Sequence, residues 1–129
     1  MRYTGYYSDV KQAVDVDRAS LPEITSRPKC TDSAMIEQVA SYLEGGRQLG
    51  QPLGWSLDAF ARDVRTPLGN FTDGVWVWPG DAAYYCRTYG ILPADLDFLE
   101  LVKVCAGACP EASAEELDAV AAQWYGTPK

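Results

Sequence analysis

Histidine is missing from the sequence altogether. Its absence removes the Ser-His-Asp and Cys-His arrangements, the side chain that most often acts as general base near neutral pH, and the commonest zinc ligand. Positive charge is scarce: 11 Lys and Arg stand against 18 Asp and Glu, a net −7. A surface that neutralises the phosphates of DNA or RNA is therefore not expected, nor a basic patch for anionic membranes. Long apolar runs are lacking too. No segment approaches the roughly 18 residues of a membrane helix, and the opening MRYTGYYSDVKQAVDVDRAS has no signal-peptide core. The cytosol is the expected compartment, where the four cysteines, Cys30, Cys86, Cys105 and Cys109, are reduced thiols. Cys105 and Cys109 are spaced C-x3-C instead of C-x2-C, and Cys86 and Cys105 fall on apolar stripes, so core thiols are expected and no metal or cofactor. The GGRQLGQPLG segment lacks the Lys-Ser/Thr ending of a phosphate loop. Asn70-Phe71-Thr72 matches a glycosylation acceptor but, with no secretion signal, reads as coincidence.

What is present is a chain of 129 residues, 47% hydrophobic and 12% aromatic, enough for one domain with a core of its own. Residues 1–30, with their tyrosines, a DVDRAS turn, Pro22 and Pro28, read as an irregular arm packed on a body spanning 31–129. Asp32 is placed to cap a helix carrying Met35, Ile36, Val39, Ala40 and Leu43 at helical spacing, stopped by Gly45 and Gly46. Ser56 with Leu57, Phe60, Ala61 and Val64 suggests a second, short helix. Asp73-Gly74 between apolar residues signals a hairpin near residues 70–78 with a type I′ turn. Val75-Trp76-Val77-Trp78 then alternates as a strand buried on both faces, tryptophans on one and valines on the other. Ala82, Tyr85, Cys86 and Tyr89 make a helical stripe closed by Gly90. Pro93 opens another helix with Leu96, Leu99, Val102 and Cys105, joined by Phe98. Ser113 and Glu116 form a capping box before Leu117, Val120, Ala121 and Trp124. The expected fold is α+β, a mostly helical single domain with a small hairpin buried among the helices.

Without histidine, chemistry would rest on carboxylates, thiols or lysines. Asp73 and Asp81 flank the tryptophan strand and are the pair that could divide acid and base roles, or border a ligand pocket beside Trp76. Turn and helix-start roles account for both more economically. Trp76, Trp78, Tyr84, Tyr85 and Tyr89 offer stacking surfaces, yet Arg87 is the one positive charge beside them, which favours core packing over a single-strand platform.

The order IEQVASYLEGG, then a loop, then TDGVWVWPGDAAYYCRTYGILPADL resembles a group of small uncharacterised bacterial proteins. Those carry a YL-x-x-G segment followed by D-G-x-W-x-W-P-x-D-x-x-Y-Y and a downstream LP. Some look like immunity proteins, which protect a cell from a toxin. The resemblance covers about residues 36 to 96 and departs at Cys86, where the pattern is usually aliphatic. It implies a non-enzymatic, acidic module that binds a protein partner such as a basic toxin. Asp58 and Asp63 stand as acidic surface positions for steering that partner. Two other readings stay open: a small-ligand binder or carboxylate enzyme around Asp73, Trp76 and Asp81, and an accessory role.

Overall fold

The tryptophan-bearing run forms an inner strand of a sheet, not one arm of an isolated hairpin. The computed structural model describes residues 2–10, 20–50, 54–61, 63–67 and 69–125. In chain order these build β1 (Arg2–Tyr3), a 3₁₀ turn (Ile24–Ser26), α1 (Ser33–Glu44), β2 (Arg47–Leu49), β3 (Trp55–Leu57), β4 (Arg65–Pro67), β5 (Asn70–Thr72), β6 (Trp76–Pro79), α2 (Ala82–Tyr89), α3 (Leu96–Val104) and α4 (Ala114–Tyr125). Of the DVDRAS turn only Ser20 falls within the described residues. The sheet has the order β1-β6-β5-β2, with β1 parallel to β6 and the other pairings antiparallel. A separate two-stranded ribbon joins β3 to β4. The architecture is α+β, and the expectation of a mostly helical body around one small hairpin is corrected. Strands this short show almost no alternation, and β1 finds its partner across most of the chain, Arg2 opposite Trp76.

Period-2 geometry explains why β6 holds the centre. Trp76 and Trp78 point to one face, where they meet Tyr42 and Leu43 of α1, Ala82 and Cys86 of α2, and Phe98 and Val102 of α3. Val77 points to the other, against Tyr6, Leu49 and Val120 of α4. Three helices thus cover one face of the sheet and the fourth covers the other. Val75 lies outside the strand and is exposed. The Trp78 indole donates to the Leu43 carbonyl (3.1 Å), so its one polar atom is satisfied in the core. A second chain of bonds ties the distant elements: Tyr6 Oη donates to Asn70 Oδ1 (2.6 Å), Asn70 Nδ2 to Tyr125 Oη (3.0 Å), and Tyr125 Oη to the Leu49 carbonyl (3.1 Å). Asn70, the acceptor of the apparent glycosylation triplet, is buried in that chain.

Local signals set most helix boundaries. Asp32 Oδ1 accepts from the amides of Ala34 (3.0 Å) and Met35 (3.2 Å), as an N-cap does. Ser113 and Glu116 bond reciprocally at the start of α4. Gly90 ends α2 in the left-handed region, φ 72°. Gly45 instead caps α1 at φ −83°. Space is what that Gly-Gly pair supplies: a Cβ on Gly46 would lie 2.4 Å from Trp78 Cζ2. Pro93 lies before the Asp95 N-cap, outside α3, and Leu96 faces solvent instead of joining the apolar stripe. The hairpin turn also differs from type I′: only Gly74 has positive φ (101°), and Asp73 closes the turn with its side chain.

Burial makes a quantitative contrast between two tryptophans. Trp78→Ala is expected to cost roughly 3–5 kcal/mol in urea unfolding, while Trp55→Ala, on the exposed ribbon, changes the stability of the single chain, measured in dilute solution, by about 0.5 kcal/mol or less. Equal losses at the two positions would contradict this placement of the core.

Candidate functional site

The described residues between 55 and 67 form no helix. Leu57, Phe60, Ala61 and Val64 happen to recur at helical spacing, but Trp55-Ser56-Leu57-Asp58 alternates apolar and polar, and that alternation prevails. The ribbon is inside out. Ser56 and Thr66 are buried, whereas Trp55 and Leu57 are 64% and 52% exposed.

Asp58 dictates this orientation. Its side chain is fully buried. Oδ1 accepts from the amides of Phe60 (2.7 Å) and Ala61 (3.1 Å), and Oδ2 accepts from the hydroxyls of Tyr84 (2.5 Å) and Tyr89 (2.7 Å). The Ala59 amide donates to the Tyr85 hydroxyl (3.0 Å). With residue 58 turned towards α2, a period of two turns 56 inward and sends 55 and 57 outward. Burial raises the carboxyl's pKa, but the hydroxyl and amide donors together outweigh it and hold the group below its ordinary 3.8. The same carboxylate, with burial second, raises the Tyr84 and Tyr89 hydroxyls, which stay protonated as donors. Asp58 is therefore a clip between ribbon and helix, and its expected place on the surface is corrected. Asp63 is exposed, in the loop between β3 and β4.

Asp73, Trp76 and Asp81 are interior. Asp73 Oδ1 accepts from the amides of Val75 (2.9 Å) and Trp76 (2.7 Å), and Oδ2 from the Tyr42 hydroxyl (2.5 Å). Asp81 is fully buried at the N-cap of α2, although its side chain makes no capping bond to the helix. Burial, with the nearby Asp81 adding to it, pushes the Tyr85 hydroxyl up to about 12. Trp76 is buried between α3 and the sheet, its ring 5.3 Å from that of Phe98. Asp73, Trp76 and Asp81 thus belong to the packed interior. Cys86 donates to the Ile36 carbonyl (3.5 Å), and burial pushes its thiol up to about 12. All four cysteines are free thiols, and among the described residues no three His, Cys, Asp or Glu side chains assemble a metal site. Arg87 is held by Glu37 (2.5 Å) and Glu44 (2.7 Å) of α1.

Among the described residues two surfaces combine exposed apolar side chains with charge. One is the ribbon, with a cleft of about 520 Å³ lined by Val10, Trp55, Leu57, Ala59 and Arg65 among others. The other is α3 and the segment into α4. From Asp95 to Asp118 the chain carries seven acidic residues and one basic, Lys103, a net −6 out of the total −7. All of those acids are exposed. Leu96 (79% exposed) and Val104 (76%) stand among them, each one helical turn from Glu100. Asp97 pairs with Arg2 (2.6 Å), Glu111 with Arg47 (3.4 Å), and Glu116 serves its capping box. No helix among the described residues is long and apolar enough to cross a membrane. The chain matches no protein-family model, no curated protein and no solved structure.

The clip has a pH signature. A folded-state pKa below the unfolded one means its contribution is complete above about pH 4 and fades as pH falls through the folded value. Asp58→Asn is expected to cost about 1–3 kcal/mol at neutral pH. It should also flatten the acid limb of the stability curve, measured by urea unfolding from neutral to strongly acidic pH. A variant that retains the wild-type acid limb would show that another group carries it.

Proposed function

We propose that this protein is an acidic protein-binding module of the immunity type, which neutralises a basic protein such as a toxin by covering it. One observation carries the reading: α3 presents Leu96, Glu100 and Val104 on one exposed face, inside the stretch that holds nearly all of the net charge. Exposed acids on α3 and on the chain into α4, helices that cover opposite faces of the sheet, speed encounter with a positive partner through their summed negative potential, and two apolar side chains left in water on α3 supply the gain on docking. Phe98 and Val102 are the side chains of α3 that enter the core, and Leu96 and Val104 add nothing to it. The acids near the tryptophan strand do not serve this purpose, because they are buried. Steering therefore rests on Glu100, Glu115 and Asp118, and not on Asp58, while Asp63 lies two residues before the cation Arg65 at the start of β4. The resemblance of residues 36–96 to immunity-like proteins supports the same class. No bond-making step is part of the reading.

Immobilised protein, offered an extract of its native cell, is expected to retain one basic protein. Glu100→Lys with Asp118→Lys should slow that association and weaken its dependence on salt, and Leu96→Ser with Val104→Ser should speed release. These positions are exposed, so unfolding free energies should stay within about 0.5 kcal/mol of wild type. Retention of the same proteins by all three baits would refute the proposal.

A further inference from the structure

The ribbon takes no part in that reading, yet among the described residues both a face and an edge of it stay open. On the face, Trp55 stands opposite Pro67 and Leu57 opposite Arg65. At the edge, hydrogen-bond directions decide what is available. The Asp58 amide donates to the Val64 carbonyl (2.9 Å), so Asp58–Val64 and, two residues along, Ser56–Thr66 are the bonded pairs of the ribbon. Trp55 and Leu57 must then direct their N–H and C=O groups away from β4. Among the described residues no strand pairs with that side of β3. The outer side of β4 is protected differently, since Pro67 has no N–H to offer.

Charge selects the occupant. Two molecules of net charge −7 repel, but the charge is concentrated in residues 95–118, whereas residues 54–67 carry two aspartates and two arginines and are neutral. The ribbon is where two copies can approach without like charges meeting. The sequence of β3 is also self-complementary when run antiparallel: apolar, small, apolar.

We infer that two copies of this chain pair through β3, antiparallel about a two-fold axis at Ser56. Trp55 of each copy lies opposite Leu57 of the other, each pair exchanging both of its backbone hydrogen bonds. The two ribbons become one sheet of order β4-β3-β3-β4, closing the exposed edge. The indole of each Trp55 covers the partner's Leu57 beside the cleft of about 520 Å³ that Val10, Ala59 and Arg65 help to line.

Sedimentation velocity on the full chain, from low to high micromolar concentration, tests this. The wild type should approach twice the monomer mass, and Trp55→Lys with Leu57→Lys, which sets lysine against lysine across the axis, should sediment as a monomer with an unchanged circular dichroism spectrum. Ser56→Cys gives an independent readout, because residues facing each other at a non-hydrogen-bonded pair are about 4.5 Å apart at Cα, within disulfide range. Mild oxidation should link that variant into a covalent dimer and leave the wild type unlinked. A monomeric wild type overturns the inference, and so does a dimer that survives the double lysine variant. A dimer in which the Ser56→Cys variant does not cross-link overturns the Ser56 axis.

Discussion

A carboxylate held in the interior by two tyrosine hydroxyls and two amides sets the outward character of the molecule. Asp58 accepts all four bonds at once, and together they outweigh the cost of taking its charge out of water. Burying Trp55 and Leu57 instead would return about 1.5–3 kcal/mol for each side chain. The two orientations of a strand are mutually exclusive, so the polar residue wins and the apolar ones go to the surface. A hydrophobic ribbon face is thus a consequence of one buried charge, and among the described residues it stays exposed.

The same device recurs. Asp9 accepts from the amides of Ile24 (2.8 Å) and Thr25 (3.2 Å) and from the Thr25 hydroxyl (2.8 Å), pinning the N-terminal segment to the 3₁₀ turn. Asp73 closes its own loop while Tyr42 reaches it from α1. In each case a short acidic side chain satisfies loop amides that no ladder or helix would satisfy. Acids used in this way are part of the scaffold, which separates them from the acids of residues 95–118 that face water and give the chain its external charge.

Features that depend on neighbours in sequence are legible there. The Asp32 cap, the Ser113–Glu116 box, Gly90 at the end of α2, the two-faced burial of the tryptophan strand and the core position of Cys86 all follow from local spacing. Features that depend on distant partners are not. The sheet needs β1 and β2, and neither is more than three residues long, so no periodicity marks them. Leu57, Phe60, Ala61 and Val64 keep a helical period while Trp55 to Asp58 alternate as a strand, and what decides between them is the reach of Tyr84 and Tyr89 to Asp58, which adjacency in sequence does not reveal. For the same reason spacing alone puts Asp58 outside, and it puts Leu96, which fits the stripe of α3, inside.

Native-state hydrogen exchange on a Tyr84→Phe, Tyr89→Phe variant tests the governing role of Asp58 most directly, because it removes both hydroxyl donors and leaves the rings and the carboxylate in place. Faster exchange of the Phe60 and Ala61 amides and of the β3–β4 ladder is expected, with the amides of β6 as protected as in the wild type. Ribbon amides that keep their wild-type protection would contradict that role.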